Sequence, residues 1–256
     1  MKRAAQWAYL TMVYGFLYLP IAVLIFFSFN ASKYSTNWKG FTFKWYFRIV
    51  ENNLLFDALI NSLIVAVCAS VIATAIGTVA AVAFHRYRWP GRKALYTLLT
   101  VVMMSPDIVM GISLLMLFIL VHMETGFITL LLSHVTFCLP VVVVTIYARI
   151  SGFDPNIVEA AKDLGATEYQ AFRHVILPML LPAVISGWLL SFTLSLDDVI
   201  VSFFVTGPGF EILPLKLYSM VRLGVKPEVN ALSTLLFVFT LISVFISQLL
   251  MKEQKR

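Results

Sequence analysis

The chain has 256 residues, of which 60% are apolar and only 12% charged, with 21 phenylalanines and a net charge of +6. Soluble domains carry about twice that charged fraction, which excludes a water-soluble globule. No basic cluster is interleaved with base-stacking aromatics on a soluble domain, which argues against a nucleic-acid partner.

Six apolar runs follow in chain order, at 7–29, 59–84, 94–121, 128–147, 180–204 and 231–250. Each is long enough to cross a hydrocarbon core about 30 Å thick at about 1.5 Å per residue. The expected fold is an all-α membrane protein of six transmembrane helices in one domain over 1–256. Lys2 and Arg3 precede the first run. That run exceeds the apolar core of about 7–15 residues typical of a cleaved signal, so it is read as a retained span. Most of the 19 Lys and Arg fall on the side of the N-terminus, which predicts cytoplasmic termini. Cys68 and Cys138 sit inside apolar runs and are expected as buried thiols. The four His and two Cys show no metal-ligand spacing, and no cofactor is expected.

The third run carries Pro106 and Asp107. A proline at that depth predicts a kink, and kinks in spans tend to line cavities. Plain helix packing is the alternative. The segment between the fourth and fifth runs is unlike the rest of the chain. Asp154-Pro155 reads as an N-cap followed by proline at the first helical position. Ile157, Val158, Ala161 and Leu164 share one face, and Gly165 is a helix stop. Thr167 and Gln170 have capping-box spacing, opening a second short helix with Tyr169, Phe172 and Ile176 as its apolar stripe. Pro178 and Pro182 mark the entry to the fifth run. Two amphipathic helices joined at a bend need cover for their apolar faces. The lipid interface, the chain's own bundle or a cytoplasmic partner would supply it.

The fifth run holds Asp197 and Asp198. Intramembrane carboxylates cost roughly 2.5–3.5 kcal/mol each on the insertion scale and usually mark a pathway. Helical rise places Asp107 about 21 Å and Asp198 about 25 Å into their spans, at similar heights. At about 100° per residue, Asp198 shares a face with Ser191, Ser195 and Ser202. It is expected to face a cavity, with Asp197 nearer a subunit contact. Pairing with basic residues of a neighbouring subunit is the alternative. Trp188 and Phe192 are candidate cation–π partners for an ammonium, with packing as the alternative. The outer loops, 30–58 and 206–230, hold aromatics, prolines and mixed charges. Capping loops or a docking face would both fit.

Glu159-Ala160-Ala161, then Gly165, then Leu177-Pro178 resembles the cytoplasmic signature of permease subunits of bacterial ABC importers. Val175 stands where isoleucine is usual. The resemblance implies a coupling loop at about 154–176 that docks on an ATPase subunit. Ala160 and Ala161 would allow close approach, Glu159 would pair with a basic group, and Gly165 would permit the bend. The chain has no Gly-Lys pair, so it lacks a phosphate-cradling loop and is expected not to be an enzyme. Residues 103–110, 190–208 and 211–220 resemble the second permease of spermidine/putrescine importers. That likeness implies a bacterial inner-membrane location, polyamine cargo, a homologous permease partner, two ATPase subunits and a periplasmic binding protein. Ferric iron, an organophosphonate or thiamine are rival cargoes. Anionic cargo should bring Arg or Lys into the spans, and none lies near mid-membrane. A membrane sensor or assembly factor would leave the intramembrane acids unexplained.

Overall fold

A computed structural model describes residues 2–32, 37–51, 53–154, 156–222 and 227–253. Its order is α1 (Lys2–Ser28), α2 (Lys44–Glu51), α3 (Asn53–Arg86), α4 (Arg92–Met104), α5 (Asp107–Leu120), α6 (Phe127–Ile150), α7 (Asn156–Asp163), α8 (Glu168–Ala171), a π-helical turn (Phe172–Ile176), α9 (Leu177–Asp197), α10 (Ile200–Val205), α11 (Leu213–Arg222) and α12 (Pro227–Glu253). The all-helical expectation holds among the described residues, apart from one isolated bridge between Asn30 and Phe41.

Among the described residues, four helices are long and apolar enough to cross a membrane, or five if the bent pair α4–α5 is one span. The kink expected at Pro106 is present and sharp, because the chain turns by 114° between α4 and α5. The sixth apolar run, 231–250, lies on α12. Apolar side chains such as Met12 and Phe16 stand exposed along α1, as a lipid-facing helix requires.

The chain divides into two compact units, Met1–Asp57 with Lys216–Arg256, and Ala58–Leu215. In the first unit, buried Asn30 organises the loop after α1. Its Oδ1 accepts from the backbone of Ser32 and Lys39, and its carbonyl accepts from Trp45 Nε1 at 2.7 Å. Phe29 stacks on Phe41 at 5.0 Å, and Arg48 pairs with Glu228 at 3.1 Å.

Among the described residues, the second unit shows two cores. One joins α3, α6 and α9 through Ala73, Phe84, Val142, Ile146 and Leu180. The other joins α5, α6 and α10 through Phe118, Leu130, Val201 and Val205, with Val65 and Ile212. The Thr129 hydroxyl ties α6 to the end of α10 by donating to the Val205 carbonyl at 2.8 Å. Ser62 accepts from the Leu213 N–H at 2.7 Å and so seats the start of α11. Buried polar groups at membrane depth need such partners, and here they fix helix positions as well.

Candidate functional site

Two breaks in helical structure build the site. Proline at 106 offers no N–H and disfavours helix in the residue before it. Ser105 is accordingly extended (φ −70°, ψ 135°), and Pro106 follows at φ −59°, ψ 132°. Asp107 then opens α5, where a carboxylate suits the positive end of the helix dipole. The second break follows α9, which ends at Asp197. Asp198 is extended (φ −68°, ψ 127°), and helix resumes at Ile200. The free N–H groups of α10 find a cap in the Asp198 carboxylate. Its Oδ1 accepts from the Val201 N–H at 3.3 Å. Its Oδ2 accepts from the Ser202 N–H at 2.8 Å and the Ser202 hydroxyl at 2.7 Å.

One helix through 180–204 was the sequence expectation, and this break corrects it. The helical-angle argument does not extend past Asp197. Ser191, Ser195 and Ser202 are nonetheless all buried, and Ser202 meets Asp198 by capping.

The two breaks bring Asp107, Asp197 and Asp198 to one cavity of about 430 Å³. Asp107 and Asp197 are exposed, while the capped Asp198 side chain is 10% exposed. None of the described residues lining the cavity is basic. Met110, Phe137 and Val141 supply apolar wall between the acids. Three like charges repel one another, so the cavity favours a cation. The walls suit methylene groups, and the Phe137 ring offers a cation–π face.

Close packing holds the acids in register. A Cβ on Gly111 of α5 would stand 2.7 Å from Phe204 Cδ2 and 3.3 Å from Val201 Cα of α10. Only glycine lets the helix carrying Asp107 lie against the helix that Asp198 caps.

Trp188 and Phe192 stack on each other at 6.0 Å. Neither lines the acidic cavity. Trp188 faces a separate one of about 410 Å³ with Val71, Thr74, Thr78 and Val184, where its Nε1 and the Thr74 hydroxyl have no hydrogen-bond partner. Sequence reasoning missed Phe137 and His134. Both lie in an apolar stretch of α6, and no local pattern ties them to the aspartates.

The segment after α6 has the expected local chemistry. The Asp154 carboxylate accepts from the Asn156 N–H at 3.0 Å, while Pro155 lies outside the described residues. Gly165 has φ +87°, a left-handed conformation that side chains resist. Its N–H donates to the Lys162 carbonyl at 2.8 Å and that of Ala166 to the Ala161 carbonyl at 3.0 Å, the paired bonds of a Schellman stop. Thr167 and Gln170 form the capping box. Val158 packs on the first core, but Leu164 leaves that face and is 90% exposed, because the helix ends at Asp163. Glu159 and Ala160 are exposed and Ala161 is half-buried, so the outer face of α7 is free of the core.

Pro178 and Pro182 do not interrupt the helix at the entry to the fifth span. The π turn carries α8 directly into α9, making one rod of 30 residues from Glu168 to Asp197. Pro178 follows the π turn directly, and its missing N–H removes one rung of the rod's hydrogen-bond ladder without ending the rod. Glu168 pairs with Lys162 of α7 and, at 2.6 Å, with Arg86 at the end of α3. The Lys162 hydrogen bond, aided by the charge of Arg86, holds the Glu168 carboxyl below the usual carboxylate range.

The family model described as binding-protein-dependent transport system inner membrane component matches residues 73–253. The chain is 54% identical over 254 residues to the spermidine/putrescine transport system permease protein PotC of Escherichia coli (strain K12), covering 99% of this chain and 96% of that one. It is 42% identical to the putrescine transport system permease protein PotI of the same strain, covering 98% and 93%. Among solved structures, it matches a bacterial ABC transporter involved in the import of the acidic polysaccharide alginate. There the TM-score is 0.77 at 14% identity, over 100% of this chain and 97% of that chain. The MetNI methionine ABC transporter in inward-facing conformation matches with TM-score 0.63 at 17% identity, over 84% and 100%. At those identities the structures speak to fold alone. The sequence matches go further, and by them the chain belongs to the binding-protein-dependent transport system inner membrane component family.

Proposed function

We propose that this chain is the second permease subunit of an ATP-driven importer that carries polyamines across the bacterial inner membrane. The observation that carries the reading is the cavity of Asp107, Asp197 and Asp198, with no basic residue among the described residues of its wall. A polyamine presents several ammoniums spaced along methylene chains. Spaced carboxylates with apolar wall between them complement that pattern. The names of the 54% and 42% identical relatives support the same cargo class.

The partners are a homologous permease, two ATPase subunits and a periplasmic binding protein, with the lipid bilayer around the spans. ATP is hydrolysed by the partner, since this chain has no phosphate-cradling loop. In this reading the chain is one permease domain with six spans, the bent pair α4–α5 being the third and α12 the sixth. Both termini are cytoplasmic. The segment 154–176 is the coupling loop, and Glu159, Ala160, Ala161 and Gly165 form its contact with the ATPase. Exposed Leu164 adds an apolar knob beside them.

The continuous rod supplies the mechanism. Thirty residues span about 45 Å at 1.5 Å per residue. A tilt of about 5° at the coupling end displaces the far end by roughly 4 Å over that length. Asp197 and Asp198 sit at that far end, and Asp107 sits on a different helix. ATPase closure thus gathers the acids in the outward-facing state and parts them in the inward-facing one. Binding must differ between the two states for cargo to be released.

The test is uptake of labelled spermidine into vesicles holding the reconstituted complex. ATP-dependent accumulation that competes with putrescine supports the reading. Accumulation of an anionic solute with indifference to polyamines would reject it.

A further inference from the structure

We infer that His134 is a positioning residue for the acidic cavity, fixing the Asp198 carboxylate in the cavity wall through the hydroxyl of Ser202. The inference rests on the cavity being the cation site.

His134 lies on α6 with no exposed surface. Its Nδ1 is 2.6 Å from Ser195 Oγ on α9, and its Nε2 is 2.9 Å from Ser202 Oγ on α10. The ring therefore bridges the two sides of the helix break that presents Asp198. Hydrogen-bond logic orients the bridge. The single hydroxyl proton of Ser202 goes to Asp198 Oδ2 at 2.7 Å, since a carboxylate only accepts. Ser202 must then accept from His134, so Nε2 carries a hydrogen. Nδ1 of the neutral ring is left to accept from the Ser195 hydroxyl.

The consequence falls on the carboxylate. A carboxylate has about four acceptor sites. The Ser202 N–H and hydroxyl fill those of Oδ2, and the Val201 N–H takes one on Oδ1. One site on Oδ1 remains for an ammonium, in a fixed orientation. His134 also packs against Phe137 at 5.0 Å, an aromatic of the cavity wall. An apolar residue could fill the same space, but only two ring nitrogens at fixed separation reach both serines.

The experiment measures spermidine uptake by the full reconstituted complex, with binding protein in fixed excess. The variants are His134→Leu, His134→Gln, Asp198→Asn and the His134→Leu/Asp198→Asn double. Loss of one hydrogen-bond link to a charged group predicts a half-saturating concentration raised about tenfold in His134→Leu, with maximal rate and basal ATPase activity nearly unchanged. His134→Gln keeps an N–H donor and should recover to within about threefold of the parent. The double variant should be no worse than Asp198→Asn alone, since both changes break one chain.

Equal damage from Gln and Leu, or additive effects in the double, would overturn the positioning role and leave only packing. A normal Asp198→Asn defect with an intact His134→Leu would overturn this inference alone. No defect in Asp198→Asn would remove the cavity reading and this inference together. Should His134→Leu fail to assemble, Ser202→Ala breaks the same link from the other side and must show the same shift.

Discussion

Asp198→Asn is the sharpest perturbation of the cargo path. The amide keeps one acceptor oxygen and gains an N–H₂ group. Directed at Ser202, the oxygen keeps the 2.8 and 2.7 Å bonds, and the amide nitrogen then faces the Val201 N–H. The weakest cap, at 3.3 Å, is lost, which costs about 1 kcal/mol. The larger loss is the charge. A carboxylate and an ammonium about 4 Å apart attract by about 4 kcal/mol at an effective dielectric of 20. Part of that is returned by relief of repulsion from Asp107 and Asp197. A net loss of about 2–3 kcal/mol corresponds to a roughly 30- to 150-fold weaker cation affinity. Asp197→Asn removes a charge at an exposed position outside the α10 cap, so its effect should be smaller. Spermidine binding to the complex held outward-facing, measured for both variants, decides the matter. If Asp197→Asn weakens binding as much as Asp198→Asn, the reasoning from capping and burial is wrong.

Glu159→Lys should leave assembly intact but lower transport per ATP hydrolysed at least several-fold; normal coupling in vesicles would count against α7 as the docking helix. Gly111→Ala forces a methyl to within 2.7 Å of Phe204 and should destabilise the complex by about 1–3 kcal/mol, read as a lowered melting temperature with weakened spermidine binding. Glu168 titrates below the ordinary carboxylate range in the folded chain. Its ties to Lys162 and Arg86 are therefore fully present above the unfolded carboxyl value of about 4.3 and are lost only as pH falls through the lower folded value. The melting difference between wild type and Glu168→Gln should stay level from neutral pH to about 5 and vanish in stronger acid. A difference that fades near neutral pH would refute the tie.

Local chemistry made much of this protein legible in its sequence. Apolar runs announced the long helices, because a bilayer demands about twenty residues whose backbone is satisfied within the helix. Gly165, Thr167 and Gln170 announced a stop and a start, because those side chains act on backbone within five residues. Three acids in grease announced a polar site, because charge at that depth is expensive.

Tertiary structure decided what depends on distant segments. Periodicity treated 94–121 and 180–204 as single helices. Pro106 announced a kink, but nothing local showed that it turns the chain by 114°, or that Asp198 ends one helix to cap the next. Those breaks, and not helical angle, set three carboxylates around one cavity, while Trp188, inside α9, faces another. The fusion of α8 with α9 escaped the proline signals, because a proline that opens a helix and one carried inside a longer rod look alike in sequence. His134 stands 61 residues from Ser195 and 68 from Ser202, so only the packing of α6 against α9 and α10 gives that histidine its partners.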